Sequence, residues 1–165
     1  MFLFLDTIPY ITIFIFGITI GSFLNVCIYR LPLGESVVTA PSHCMTCGRK
    51  LRWYDMVPVF SWLVLGGKCR NCKSEISVQY PIIEGVNGIL YVVIFAVNGL
   101  VWSSVIYCLM ASALLGLSVI DWRTYEIPFG INVFLFVLGV AMAVLDRGNL
   151  VEHLIGMVCV SGVLE

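Results

Sequence analysis

Hydrophobic and polar positions alternate along this chain in long blocks, not at the two-residue or 3.6-residue periods of amphipathic strands and helices. Ile8 to Tyr29 is apolar except for Pro9, Thr12, Thr19, Ser22 and Asn25, and about twenty such residues suffice to cross a bilayer as a helix. Arg30 to Tyr80 is polar. Pro81 to Val97 is apolar again, with Glu84, Gly85, Asn87 and Gly88 near one end, and an Asn98-Gly99 turn leads into a third apolar stretch, Leu100 to Ile120. The run Asp121-Trp122-Arg123-Thr124-Tyr125-Glu126, closed by Pro128, is a polar island; Ile131 to Leu145 makes a fourth stretch, Asp146 to Asn149 a turn, and Leu150 onward begins a fifth that is incomplete at Glu165. The pattern predicts an all-α polytopic membrane protein with four complete transmembrane helices and the start of a fifth.

Composition agrees with this reading: the chain is 60% hydrophobic and 12% charged, against roughly 25% charged in an average soluble domain. The net charge of −1 averages a basic loop with nearly uncharged spans. No basic block with interleaved aromatics points to nucleic acid. Of the nine Lys and Arg residues, Arg30, Arg49, Lys50, Arg52, Lys68, Arg70 and Lys73 lie in the first polar segment. Cationic loops stay in the cytosol, which predicts an outside N-terminus and a cytosolic loop. Counting crossings then puts Asp121 on the same side. A cleaved signal peptide is the competing reading of the first stretch, but Asp6 precedes it and no Lys or Arg does.

The loop carries Cys44-Met45-Thr46-Cys47 and Cys69-Arg70-Asn71-Cys72. Two C-x-x-C pairs at this separation can offer four thiolates in a tetrahedron, the set a structural zinc ion prefers, and a reducing cytosol favours metal over disulfides. Redox-active or unbound thiols are the alternative. His43 is read as a surface residue, and Cys27, Cys108 and Cys159 as small buried side chains. Trp53, Tyr54, Trp62 and Tyr80 suit either a membrane interface or the loop's own core. In the first span, Gly21-Ser22 would admit a neighbouring helix closely and Asn25 could hydrogen-bond across that contact.

Carboxylates beside hydrocarbon are functional candidates. Asp121, at the end of an apolar helix, is the strongest, and partial burial would raise its pKa toward the range useful for acid-base work. A solvated helix-end aspartate is the plainer reading. Glu126 and Glu84 could each face it. No Gly-rich phosphate loop, H-E-x-x-H or G-x-S-x-G occurs; Gly66-Gly67-Lys68 lacks the upstream Gly and the following hydroxyl.

Taken together, these residues resemble the prepilin peptidases, membrane aspartic proteases that process type IV pilins and pseudopilins. Gly21-Ser22-Phe23-Leu24-Asn25-Val26-Cys27-Ile28-Tyr29-Arg30-Leu31-Pro32 is similar to the family's opening motif. Trp53-Tyr54-Asp55-Met56-Val57-Pro58, Ser61-Trp62 and Gly67-Lys68-Cys69-Arg70-Asn71-Cys72 resemble its cysteine loop, and Tyr80-Pro81 with Glu84 its second span. Ile120-Asp121 with Ile127-Pro128 resembles the segment of its first catalytic aspartate. The resemblance implies cleavage of a prepilin leader at the cytosolic face of the bacterial inner membrane by two aspartates that activate one water, with Asp121 as one of them. It also implies, in some members, methylation of the new N-terminus with S-adenosylmethionine. Prepilin or pseudopilin leaders and the lipid bilayer are the expected partners. Residues 1–99 correspond to the N-terminal domain, with the cysteine loop at 30–80, and residues 100–165 to the start of the peptidase domain.

One departure stands out. The family's second aspartate lies in a G-x-G-D motif, and no Gly-Asp dipeptide occurs in these 165 residues. The expectation is a truncated N-terminal part of a prepilin peptidase, inactive alone, with the second carboxylate beyond Glu165. The alternative is a non-catalytic, zinc-stabilised membrane adaptor that binds pilin leaders or assembly proteins; a small transporter is a weaker third reading.

Overall fold

The computed structural model describes residues 2–39, 41–145 and 148. The chain runs through α1 (Phe2–Arg30), a single 3₁₀ turn at Trp53–Asp55, α2 (Phe60–Val64), α3 (Gln79–Asn98), α4 (Trp102–Thr124) and α5 (Phe129–Leu145). Among the described residues the only β pairing is two isolated antiparallel bridges in the loop. Thr7–Arg30, Gln79–Asn98 and Trp102–Thr124 are long and apolar enough to cross a membrane; α5, with 17 residues, is a shorter apolar helix. The protein is a helical, polytopic membrane protein, as its block pattern predicts. Of the expected turn at 146–149 only residue 148 is described, and the fifth span and Cys159 lie outside the described residues.

Two boundaries differ from expectation by more than two residues. α1 begins at Phe2 instead of Ile8, and α4 continues through the polar island to Thr124. Asp121-Trp122-Arg123 is therefore helical. The stop comes at Tyr125, whose left-handed φ of 54° lets its amide cap the Asp121 carbonyl at 2.9 Å, one turn later than hydropathy alone suggests.

In lipid, spans are held by close packing and shared polar groups, since hydrocarbon supplies no hydrophobic force between apolar helices. α1 and α3 meet through small residues. A Cβ on Gly17 would lie 2.7 Å from the Gly88 Cα, and one on Gly21 would lie 2.8 Å from the Glu84 Cα, so nothing larger than hydrogen fits at either position. The G-x-x-x-G spacing of Gly17 and Gly21 forms this seam. Asn25, 1% exposed, donates to the Tyr80 carbonyl at 3.2 Å across it, the role its place after Gly21-Ser22 suggests.

Half-way along the spans, Asn87 donates to the Gly17 carbonyl at 2.8 Å and accepts from the Ser112 hydroxyl at 2.8 Å, while Ser112 lies 3.1 Å from the Tyr91 hydroxyl. This buried network joins α1, α3 and α4. Each polar group in it has a partner, as apolar surroundings demand. Toward the loop, Ile28, Ile83 and Ile120 close the bundle.

Candidate metal centre and the Asp121 end of α4

The four loop cysteines converge. One sulfur from each of Cys44, Cys47, Cys69 and Cys72 lies within 4.8 Å of every other, and the Cys44 and Cys72 sulfurs are 3.8 Å apart. Thiolates around zinc at bonds of about 2.3 Å define a tetrahedron with edges of about 3.8 Å. The spacing fits that ion.

What brings them together is one backbone form used twice. The Cys44 amide donates to the Arg49 carbonyl at 2.9 Å and the Gly48 amide to the Cys44 carbonyl at 2.9 Å; the Cys69 amide donates to Ser74 at 2.8 Å and the Lys73 amide to Cys69 at 3.0 Å. Each C-x-x-C turn is flanked by its own bridge, His43 with Lys50 and Lys68 with Glu75. The fifth residue of each turn is left-handed, Gly48 at φ 67° and Lys73 at φ 61°. Only the first is a glycine.

A left-handed residue with a Cβ is strained by roughly 1 kcal/mol or more. Gly48→Ala is therefore expected to lower loop stability by about 1 kcal/mol. Lys73→Gly should raise it by less than about 1 kcal/mol, part of the relief being offset by glycine's freer unfolded chain. Limited proteolysis of the two variants reads this asymmetry, and equal effects would contradict it.

The knuckles also tune their sulfurs. The Cys47 amide, and next the Thr46 amide, donate to Cys44 and pull its thiol down to about 6. The Ser74 hydroxyl and amide lower Cys72. Against the pull of the Arg49 amide, desolvation and hydrogen bonding with Cys44 and Cys72 leave Cys47 raised. Asn71 joins the knuckles, accepting from Arg49 at 2.9 Å and donating to the Cys47 sulfur at 3.9 Å. His43 is exposed and its ring lies against the Pro41 carbonyl, as its surface reading predicts. Both readings of the loop aromatics apply. Trp62 donates to the Ile76 carbonyl at 3.1 Å within the loop, whereas Trp53 is exposed. Arg70 pairs with Asp55 at 2.8 Å and lies over Tyr54.

Asp121 sits at the same end of the bundle as this loop. The Arg123 guanidinium lies 4.3 Å from the Tyr29 ring centre, and Tyr29 stacks on Tyr80 at 5.5 Å. This cation-π stack ties the end of α4 to the two helix ends that bound the loop. The partial burial expected for Asp121 is not found. Ile120 is buried and faces α1 and α3, and one residue further round the helix Asp121 is exposed. Trp122, Tyr125, Ile127 and Phe129 are exposed beside it, so its surroundings form an open, largely apolar face among the described residues.

Glu84, one of the two carboxylates that could have faced Asp121, is engaged elsewhere. It is 6% exposed and accepts the Val59 amide at 2.7 Å, with the Ser22 hydroxyl as a further donor. Glu126, beyond the Tyr125 cap, is exposed. The sequence reading missed the Asn87-Ser112-Tyr91 network and the tie from Glu84 to Val59. Two polar residues in one short apolar stretch were the available signal.

Residues 15–98 match the model of the bacterial peptidase A24 N-terminal domain and residues 108–165 that of the type IV leader peptidase family. A prepilin leader peptidase/N-methyltransferase of Myxococcus xanthus is 37% identical over 131 residues, covering 79% of this chain and 39% of the relative. A type 4 prepilin-like proteins leader peptide-processing enzyme of Escherichia coli is 35% identical over 134 residues, covering 68% and 48%. A prepilin leader peptidase/N-methyltransferase of Vibrio cholerae is 42% identical over 86 residues, covering 46% and 34%. The chain thus spans about half or less of the length of these relatives. No solved structure gives a significant match.

Proposed function

Because the chain belongs to the type IV leader peptidase family, we propose that it forms the N-terminal part of a membrane aspartic endopeptidase that removes the leader from type IV prepilins or pseudopilins. The observation that carries this reading is the position of Asp121, exposed at the loop end of a span, within the segment matched by the peptidase model. In this reading residues 1–99 are the N-terminal domain and residues 100–165 the start of the peptidase domain. The loop and Asp121 face the cytosol of a bacterium across its inner membrane, since the loop holds most of the chain's cations.

Asp121 serves as one member of an aspartate pair. One carboxylate takes a proton from water as it attacks the peptide carbonyl, and the other gives a proton to the departing amine. Glu84 is not the second member, because its oxygens hold the Val59 amide and the Ser22 hydroxyl. The reading places the partner outside these 165 residues. The open apolar face around Asp121 is where a hydrophobic pilin segment, or further helices of the protein, would lie.

Cys44, Cys47, Cys69 and Cys72 would hold a structural zinc ion. Bound there, it would fix the two knuckles to each other and take no part in hydrolysis. For S-adenosylmethionine, the cavity lined by Asn98, Trp102, Ser103, Tyr107, Met142 and Leu145 lies at the end of the spans opposite the loop, and no methyl-transfer step is assigned.

The test is cleavage. Membranes containing the full-length gene product, mixed with a prepilin, should yield a pilin whose new N-terminus, read by mass spectrometry, begins just before the hydrophobic helix. A prepilin that is bound and left uncut would support the adaptor reading instead.

A further inference from the structure

The loop segment after Pro58 makes an unusual turn. Val59 has φ 61° and ψ −52°, and the Phe60 amide donates to the Pro58 carbonyl at 2.6 Å. This is a γ-turn of the rarer, strained kind, centred on a β-branched residue that seldom adopts positive φ. Strain of this sort persists only where surrounding structure imposes it. Here the Val59 amide is held by the Glu84 carboxylate at 2.7 Å.

Glu84 is inside the bundle. It lies five residues into α3 from Gln79, about 7.5 Å along the helix, and packs against Gly21, nine residues before the end of α1, about 13 Å. Even stretched toward the loop, its side chain brings Val59 out only to about the level of Gln79. That is the level of the stacked Tyr29 and Tyr80 rings, and aromatic side chains of this kind mark the membrane-water boundary. The loop therefore dips back to the bilayer surface at Val59. The Glu84 carboxylate, 6% exposed, is what holds the Val59 amide at that level, which gives a buried glutamate in a span a physical purpose.

The helix that starts at this turn presents an apolar face. Phe60 and Leu63 are each 60% exposed and Val64 is 82% exposed, at the i, i+3 and i+4 positions that share one side of a helix. Lys68, four residues past the helix, is exposed and matches the sign of anionic lipid headgroups.

We infer that Phe60–Val64 is an interfacial membrane anchor, tethered by Glu84, whose Phe60, Leu63 and Val64 side chains dip from the bilayer surface into the phospholipid acyl chains. Depth fixes lipid as the occupant. A binding surface for another protein would not need to be drawn down to the level of the spans.

Bromine on acyl chains quenches tryptophan on contact, which gives a direct test. In the protein reconstituted in phosphatidylcholine/phosphatidylglycerol vesicles, the emission added by Leu63→Trp over the parent should be quenched at least twofold more by acyl-brominated lipid than that added by Val38→Trp, an exposed loop control. Aqueous acrylamide should give the reverse order. A photoreactive benzoylphenylalanine at position 64 should form adducts with lipid. Glu84→Ala should release the turn and lower the lipid quenching of Leu63→Trp, while Glu84→Gln, which keeps an acceptor oxygen, should largely preserve it. Acrylamide quenching of Leu63→Trp equal to that of Val38→Trp would overturn the proposal, as would adducts confined to polypeptide, whether a second copy or another protein. Undiminished lipid quenching in Glu84→Ala would remove the tether. The quenching comparison leaves Glu84 unchanged, so it stands even if that substitution prevents folding.

Discussion

Asp121→Asn is expected to reduce prepilin cleavage by at least about 10³-fold with little change in KM, because on the proposed function it removes a proton-transfer group while keeping the side chain's size; general acid-base groups contribute about 10²–10⁴-fold. Asp121 is exposed, so the substitution leaves the packing of Ile120 against Ile28 and Ile83 intact. Folding should be unchanged, as judged by metal content and thermal melting. Asp121→Glu keeps the charge but moves it by one methylene, and a 1 Å misplacement of a reacting group can reduce rate about 10²-fold. Glu126→Gln, beyond the helix cap, should cleave at the parent rate. The measurement is the initial rate of leader loss by the full-length protein. Near-parental cleavage by Asp121→Asn would move the chemistry to another residue; a matched fall in Glu126→Gln would make this end of α4 a binding surface instead of half of a dyad.

The residues differ in how much of this the sequence could show, for physical reasons. Spans are legible because hydrocarbon imposes a length and a composition, and 7–30, 79–98 and 102–124 meet both. The cysteine cluster is legible because C-x-x-C folds locally: each knuckle is closed by hydrogen bonds between residues no more than five apart. Gly21 and Asn25 are legible by chemistry, small and polar where two helices meet. Glu84 is the opposite case. Its residue type announces that something must offset its burial, but its partner is the amide of Val59, 25 residues away, and a backbone amide carries no sequence signature. The burial of Asp121 failed for a related reason. Hydropathy places a residue along a helix axis, and which side it faces depends on neighbours in space, here Ile120 turned inward and Asp121 outward.

Removing one thiolate from the cysteine cluster should produce the other large effect, of a different kind. The parent is expected to hold one metal per chain and Cys44→Ser or Cys72→Ser less than about a tenth of that, since apparent binding free energies of structural zinc sites reach about 10–16 kcal/mol. Elemental analysis of the purified protein checks this. Few other interactions join the two knuckles; the Arg49–Asn71 hydrogen bond at 2.9 Å is one. Without the metal, the segment from 43 to 75 should become sensitive to protease while the spans stay intact. Cleavage should then fall without vanishing and keep its pH profile, because on the proposed function the loop positions the site without supplying its carboxylates. A metal-free variant as inactive as Asp121→Asn yet resistant to protease would place the ion in the chemistry itself. Absence of metal from the parent would make the cluster a dithiol system instead, with Cys44, the thiol held at about 6 by the Cys47 and Thr46 amides, as its nucleophile.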